Sequence, residues 1–326
     1  MINVGIVGSE GYTVAELYSL VIKHPDVDLR MIYSPWRSGM NVSELYHDLH
    51  SMRTLRFTDE ADFEGLDVLF ICLPSGMSRA FLESHPMPEG IRVIDFGHEH
   101  RHSVDADKTF VYGLVEAYKD EIVDAQYVSV PGSFAEAVEL PLLPLAREGL
   151  LQSDLHIHCI SGKTQAFARP EKDKGLSYEA IFDQMHVYSP FSHHQQDEIY
   201  RTLSDLQEGG FHQKISMIPM RGGFNRGMYS TIYMNSPLTA EEAERMYTDF
   251  FDPSAFVYIT DEYPDVRDTQ NTNNTLIHLT KLDDKLLIVS SMDNLMKGAA
   301  GTAIHIMNTM FRLVETTGLE LKFTSY

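Results

Sequence analysis

Gly5-Ile6-Val7-Gly8-Ser9-Glu10-Gly11-Tyr12-Thr13 is the stretch whose reading decides the fold. Asn3 to Val7 is an apolar run that reads as a buried strand, and Thr13 to Ile22 carries the spacing of an amphipathic helix. Strand, glycine turn and helix in succession make the junction on which a dinucleotide sits. Gly8 permits the tight turn, and Gly11 lets the backbone approach a pyrophosphate seated on the helix N-terminus. The glycines fall at 5, 8 and 11 instead of the usual G-x-G-x-x-G spacing, with Val14 in place of the last one. Position at the first strand–helix junction, more than spacing, gives the motif its weight.

Working outward, apolar runs at Asp28–Tyr33, Asp67–Leu73, Arg92–Phe96 and Tyr127–Val130 alternate with helical patterns or loops. That alternation predicts βαβ units and a parallel sheet covered on both faces. Val68-Leu69-Phe70-Ile71-Cys72-Leu73, stopped by Pro74, is its best central strand. An NAD site usually ends the second strand in a carboxylate for the ribose 2′-hydroxyl. Here Tyr33-Ser34-Pro35-Trp36-Arg37-Ser38-Gly39 offers no carboxylate. Ser34, Arg37 and Ser38 suit a 2′-phosphate, so NADP is the expected cofactor; a plain polar surface turn is the competing reading.

After Pro131-Gly132 the pattern changes to a mixed α+β domain. A helix is expected from Phe134 to about Glu148, strands at Leu155–Ile160, Lys214–Pro219 and Met228–Met234, and a helix opened by the Thr239/Glu242 capping box. Thr275–Thr280 and Lys285–Ser290 flank an Asp283-Asp284 turn as a hairpin, and a last helix should run from Leu295 to about Thr317. The irregular stretch Ser161–Tyr178 is long for a connection, which marks it as functional.

Charge and length exclude several classes. The 326 residues carry 26 Lys+Arg against 47 Asp+Glu, a net −21, which argues against nucleic-acid binding. Two cysteines, Cys72 and Cys159, make no disulfide framework and fit a reducing compartment. No apolar run reaches the roughly 18–20 residues of a membrane span, so a cytoplasmic protein is expected. His98-Glu99-His100-Arg101-His102 reads as a solvated loop and not a metal site. His156 and His158 share one strand face and should be packed or hydrogen-bonded, while Met217, Met220 and Met228 read as core filling.

Five segments in order carry a family resemblance. They are Gly8-x-x-Gly11-Tyr12-Thr13-x-Ala15-Glu16-Leu17 with His24-Pro25; Tyr112-Gly113-Leu114-x-Glu116; Pro131-Gly132; Arg226-Gly227-Met228-Tyr229-Ser230-Thr231-Ile232-Tyr233; and Asp293-Asn294-Leu295-Met296-Lys297-Gly298-Ala299-Ala300-Gly301. Together they resemble the N-acetyl-γ-glutamyl-phosphate reductases of arginine biosynthesis over essentially the whole chain. The resemblance implies a Rossmann domain of residues 1–132 with 297–326, and a glyceraldehyde-phosphate-dehydrogenase-like catalytic and dimerisation domain of 133–296. It also implies NADPH-dependent reduction of an acyl phosphate to a semialdehyde through a cysteine at a helix N-terminus, in a dimer or tetramer.

The chain departs from the family where that chemistry happens. The family's N-P-G-C-Y-P-T reads Val130-Pro131-Gly132-Ser133-Phe134-Ala135-Glu136 here, so Ser133 takes the nucleophile position. Its H-R-H-x-P-E-I reads His193-His194-Gln195-Gln196-Asp197-Glu198-Ile199, so Gln195, which exchanges no protons, replaces the second histidine. Its glycine-rich S-G-x-S-G-A-G-R loop becomes Ser161-Gly162-Lys163-Thr164-Gln165-Ala166-Phe167-Ala168-Arg169. By the resemblance, His193 or His194 orients or deprotonates Ser133, and Arg226 holds the substrate anion, with Lys163 or Arg169 adding charge. The candidate cofactor positions are Gly8, Gly11, Tyr12, Thr13, Ser34, Arg37, Ser38, Ser75, Gly162 and Asn294. The alternatives are a diverged paralogue that binds NADP or an acyl-phosphate-like ligand without reducing it, and serine-based acyl transfer without hydride.

Overall fold

In the computed structural model, residues 1–49, 55–101, 110–165 and 185–321 are described; the candidate Arg169, and His102 of the histidine run, lie outside them. The Val- and Ile-rich runs of the N-terminal part form β1 (Ile2–Val7), β2 (Val27–Tyr33), β3 (Val68–Ile71), β4 (Arg92–Asp95), β5 (Val111–Tyr112) and β6 (Tyr127–Ser129). They pair in parallel in the order β2-β1-β3-β4-β6-β5. Every residue of β3 is fully buried, as a central strand covered on both faces requires. Helices α1 (Tyr12–Lys23), α2 (Val42–Leu45), α3 (Ser78–Ser84) and α4 (Val115–Asp124) fall between the strands. The order reverses beside β1, so the Gly8–Gly11 turn stands at the switch point where α/β sheets bind ligands.

Next come α5 (Ser133–Arg147), β7 (Leu155–Ser161), β8 (His186–Val187), α6 (Gln196–Leu206), β9 (Ile215–Arg221) and β10 (Met228–Asn235). They are followed by α7 (Ala240–Phe251), β11 (Val257–Ile259), β12 (Thr275–Leu282) and β13 (Lys285–Met292). The seven strands make one mixed sheet, β11-β12-β13-β10-β7-β9-β8. Thr239 caps α7 through the reciprocal box with Glu242, and Asp283 turns the β12–β13 hairpin at φ 48°. Two prolines sit inside α5. Pro141 has no N–H to give the Ala137 carbonyl, and Ser230 Oγ supplies a hydrogen bond to it at 2.9 Å. Tyr247 Oη donates to the Pro141 carbonyl at 2.6 Å, tying α7 to α5.

The last helix is shorter than expected. Met296–Ala300 is a π-helical turn, α8 covers Gly301–Met310, and Arg312 then breaks the helix at φ 56°. Contacts divide the described chain into one unit of Met1–Pro131 with Ala299–Glu320, and another of Gly132–Gly298. No helix among the described residues is long and apolar enough to cross a membrane.

Candidate active site

Ser133 opens α5 and is 6% exposed. The first amides of a helix have no partner within it, and here side chains from the next helix supply them. Gln195 Oε1 accepts from Phe134 N at 2.9 Å and Ala135 N at 3.1 Å, and Glu198 Oε2 accepts from Gly132 N at 2.8 Å. A Cβ on Gly132 would stand 2.4 Å from Gln195 Cδ, so glycine is what lets the amide lie on the backbone there. Thr202 Oγ1 donates to Glu139 Oε1 at 2.8 Å, extending the seam between α5 and α6. Nothing in the sequence of α6 announced it as a helix except Ile199, Thr202 and Leu203 on its buried side.

The 293–301 motif frames the same residue. A Cβ on Gly298 would come within 2.9 Å of Ser133 Cβ, so this glycine is the floor under the serine. Lys297 Nζ lies 3.3 Å from Glu136 Oε1, both side chains fully buried, which ties the motif to the first turn of α5. Asp293 Oδ1 accepts the Leu295 and Met296 amides at 2.8 and 3.0 Å, while its Oδ2 accepts Arg226 Nε at 2.6 Å and Asn271 N at 2.7 Å. Asn294 Oδ1 takes the Gly227 amide at 2.7 Å and Nδ2 donates to Thr164 Oγ1 at 3.1 Å. Asn294, expected beside the cofactor, also braces the Arg226–Gly227 turn. Gly162 is needed for packing: a Cβ would meet the Asn225 carbonyl oxygen at 2.6 Å. Lys163, expected to present charge, has its side chain buried.

His193 is buried, its ring tilted against Phe134 at 4.9 Å and stacked at 4.6 Å on the exposed His194. Burial, followed by the neighbouring His194, pulls its pKa down to about 4 against a smaller opposing pull from Glu198. Its Nδ1 accepts the Gln195 amide at 3.3 Å, which leaves the proton of the neutral ring on Nε2. Neither histidine hydrogen-bonds Ser133 among the described residues. A neutral, weakly basic ring with a protonated Nε2 orients or donates; the deprotonating role expected of His193 does not fit this geometry. Cys72 and Cys159 are buried free thiols, and burial raises both pKa values, so neither is a ready thiolate.

In the first unit, Gly8 has φ 120° and a Cβ there would meet the Cys72 carbonyl oxygen at 2.5 Å. Gly11, the N-cap of α1 at φ 113°, faces open space, and half-exposed Tyr12 and Thr13 follow it. Ser34 Oγ donates to Ser9 Oγ at 2.7 Å; exposed Ser38 ends a short 3-10 turn. Arg37 pairs with Glu10, its Nε 3.2 Å from Oε1. The second strand does end without a carboxylate, but the glycine turn brings one beside Arg37.

Ser75 hydrogen-bonds His98, and Glu99 accepts the Gly76 and Ser78 amides at 3.1 and 2.8 Å. The histidine run is therefore no solvated loop: His100 is buried, with Nδ1 2.6 Å from Asp95 Oδ2 and its ring stacked on Phe110 at 4.1 Å. His156 stacks on Tyr233 at 4.7 Å, whereas His158 is exposed, against expectation. Met217 and Met228 are buried in the core and Met220 is only half-buried. Among the described residues no group of three or more His, Cys, Asp or Glu is placed to hold a metal.

Two family models match this chain: semialdehyde dehydrogenase, NAD binding domain, over residues 3–125, and semialdehyde dehydrogenase, dimerisation domain, over 133–294. The N-acetyl-gamma-glutamyl-phosphate reductase of Parabacteroides distasonis is 40% identical over 326 residues, 100% of both chains. The chain belongs to the N-acetyl-gamma-glutamyl-phosphate reductase family. A reductase of the same name from Flavobacterium johnsoniae is 38% identical over 325 residues, 99% of each chain. Solved structures of the semialdehyde dehydrogenase type share the fold. Aspartate semialdehyde dehydrogenase II from Vibrio cholerae has a TM-score of 0.72 at 15% identity, covering 96% of this chain and 98% of that one. The Candida albicans aspartate semialdehyde dehydrogenase with NADP has a TM-score of 0.67 at 15% identity, over 95% of this chain and 98% of that one. The reductase family thus accounts for the α/β architecture, a nicotinamide-nucleotide-binding Rossmann unit followed by a semialdehyde dehydrogenase unit.

Proposed function

We propose that this chain reduces an acyl phosphate of the N-acetylglutamyl type to the semialdehyde with NADPH, and that Ser133 stands at the nucleophile position. The supporting observation is the packing of the 293–301 motif on Ser133 at the first position of α5. In the acylation step Ser133 Oγ forms a bond to the acyl carbon while the carbon–oxygen bond to phosphate breaks. A departing phosphate would otherwise carry three negative charges, so it takes the serine proton and leaves as the hydrogenphosphate dianion. That balance needs no basic histidine, in keeping with a neutral His193. A nicotinamide nucleotide, when bound, would supply a hydride to the acyl carbon; the bond from that carbon to Ser133 Oγ then breaks to release the aldehyde, and a proton from solvent restores the serine hydroxyl. Arg226, held by Asp293, is the substrate-side cation, while the buried Lys163 does not present its charge and Arg169 remains a candidate from sequence.

The cofactor reading is supported by the open approach at Gly11, where a Cβ would otherwise project, and by Gly8 and the amides opening α1. Tyr12, Thr13 and Ser75 flank that approach in the proposal, and Gly162 and Asn294 serve by shaping the backbone of the substrate unit. Arg37, with Ser34 and Ser38, would take the 2′-phosphate by exchanging Glu10 for it. A homo-oligomer is also proposed: on the sheet face away from α5, Tyr229, Tyr233, His158 and Met220 are only partly covered or exposed. The test is NADP-linked turnover in both directions, from acyl phosphate plus NADPH and from semialdehyde plus phosphate and NADP. Ser133→Ala should abolish turnover and Ser133→Cys should raise it. Intact NADPH binding without wild-type turnover rejects the reaction.

A further inference from the structure

Gln195 stands where the resemblance places a histidine, and two hydrogen bonds fix its amide. Backbone N–H groups are donors only, so the atom facing Phe134 N and Ala135 N has to be the carbonyl oxygen. The –NH2 end, in the same plane, is thereby turned away from those two amides. The plane itself lies against Gly132, one residue before Ser133, close enough that a Cβ there would be 2.6 Å from Nε2. Gln195 is 6% exposed, and its Nε2 makes no hydrogen bond among the described residues. A buried amide with a pinned acceptor and two unused N–H groups is a preorganised donor.

We propose that Gln195 Nε2 is the fixed hydrogen-bond donor of this site, aimed at the carbonyl oxygen of an acyl group held on Ser133. The inference rests on the reductase reading and goes further by giving Gln195 a catalytic task. The carbonyl oxygen gains negative charge when Ser133 attacks, and again when the acyl carbon is reduced. A donor already oriented toward it stabilises both transition states without reorganising. A glutamine does this at any pH, whereas a histidine in the same place would titrate. The amide also polarises the dipole of α5: its oxygen draws on two helix amides, which strengthens the donors at its other end.

The deciding variant is Gln195→Glu. A carboxylate keeps one oxygen on the Phe134 and Ala135 amides, so the cap survives, although the buried Glu198 carboxylate on Gly132 N offsets part of the favourable helix-terminus term. What it loses is the donor. Full-length wild type, Q195E and Q195A are compared by NADP reduction with semialdehyde and phosphate, and by thermal unfolding. The expected result for Q195E is a kcat lower by about 100- to 1000-fold, with KM within about threefold and a Tm above that of Q195A. Q195A should lose both rate and Tm. Q195E turning over within about threefold of wild type overturns the donor role while leaving the reductase reading intact. A Tm for Q195E as low as that of Q195A also overturns it, since rate would then follow folding. Absence of turnover in wild type rejects the reductase reading, and the donor role falls with it.

Discussion

Replacing Lys297 by Met tests how the ground beneath Ser133 is held. Met keeps most of the side chain's volume and removes only the ammonium. In the native chain Lys297 Nζ is 3.3 Å from Glu136 Oε1, and neither side chain has any exposed surface. The pair itself adds little net stability, because desolvating two charges offsets most of their attraction. Removing one member is different, for it takes the neighbouring ammonium from the buried Glu136 carboxylate. Breaking a buried pair from one side costs about 3–5 kcal/mol. At about 2–4 °C per kcal/mol for a unit of this size, Tm should drop by about 6–20 °C. The double variant Glu136→Gln/Lys297→Met removes both charges and should recover most of that loss. Calorimetry of the wild type, both single variants and the double variant at pH 7 measures this directly. A single-variant shift under about 2 °C, or a double variant as unstable as the sum of the singles, would refute the reasoning.

Three more outcomes are expected. Ser230→Ala removes the donor that serves the Ala137 carbonyl opposite Pro141 and should cost about 1–3 kcal/mol in urea unfolding; an unchanged midpoint would mean water replaces it. His193 is held neutral, with its folded pKa lowered to about 4 from an ordinary value near 6.5. The stability this gives is full above about pH 6.5 and disappears as pH falls toward 4, so the Tm gap between wild type and His193→Phe should narrow across that window. Arg37→Ala should weaken NADPH binding about tenfold or more, while Glu10→Gln, which frees Arg37 from an exposed pair, should tighten it by up to about fivefold. Equal NADPH and NADH affinities in all three proteins, read by fluorescence titration, would remove Arg37 from cofactor choice.

Much of the architecture was legible because it rests on short-range rules. Strands β1 to β4 follow from apolar runs, α7 from its capping box, and the β12–β13 hairpin from paired aspartates. The limits of that reading are as physical as its successes. A helix was read through Pro141 and Pro144 from hydrophobic spacing alone, while the donor that serves the carbonyl orphaned by Pro141, Ser230, lies about ninety residues away. The last helix was drawn too long because Phe311 to Thr317 keeps a helical pattern past the break at Arg312. His100 looked like a loop residue because its partner, Asp95, ends the preceding strand and faces it only once the chain has turned.

Local sequence by itself determined most of the strands and helices, where the Gly8 and Gly11 turn falls, and that a helix follows Pro131-Gly132. It did so because backbone conformation and burial depend on neighbours a few positions away. Only the tertiary structure decided what the side chains do. It turned Gln195 toward the α5 amides, set Glu10 against Arg37, sank Lys297 beside Glu136, and tied Asn294 to the Gly227 turn. A hydrogen bond or ion pair depends on atoms meeting within about 3 Å, and such meetings between distant segments are fixed by packing and not by spacing along the chain.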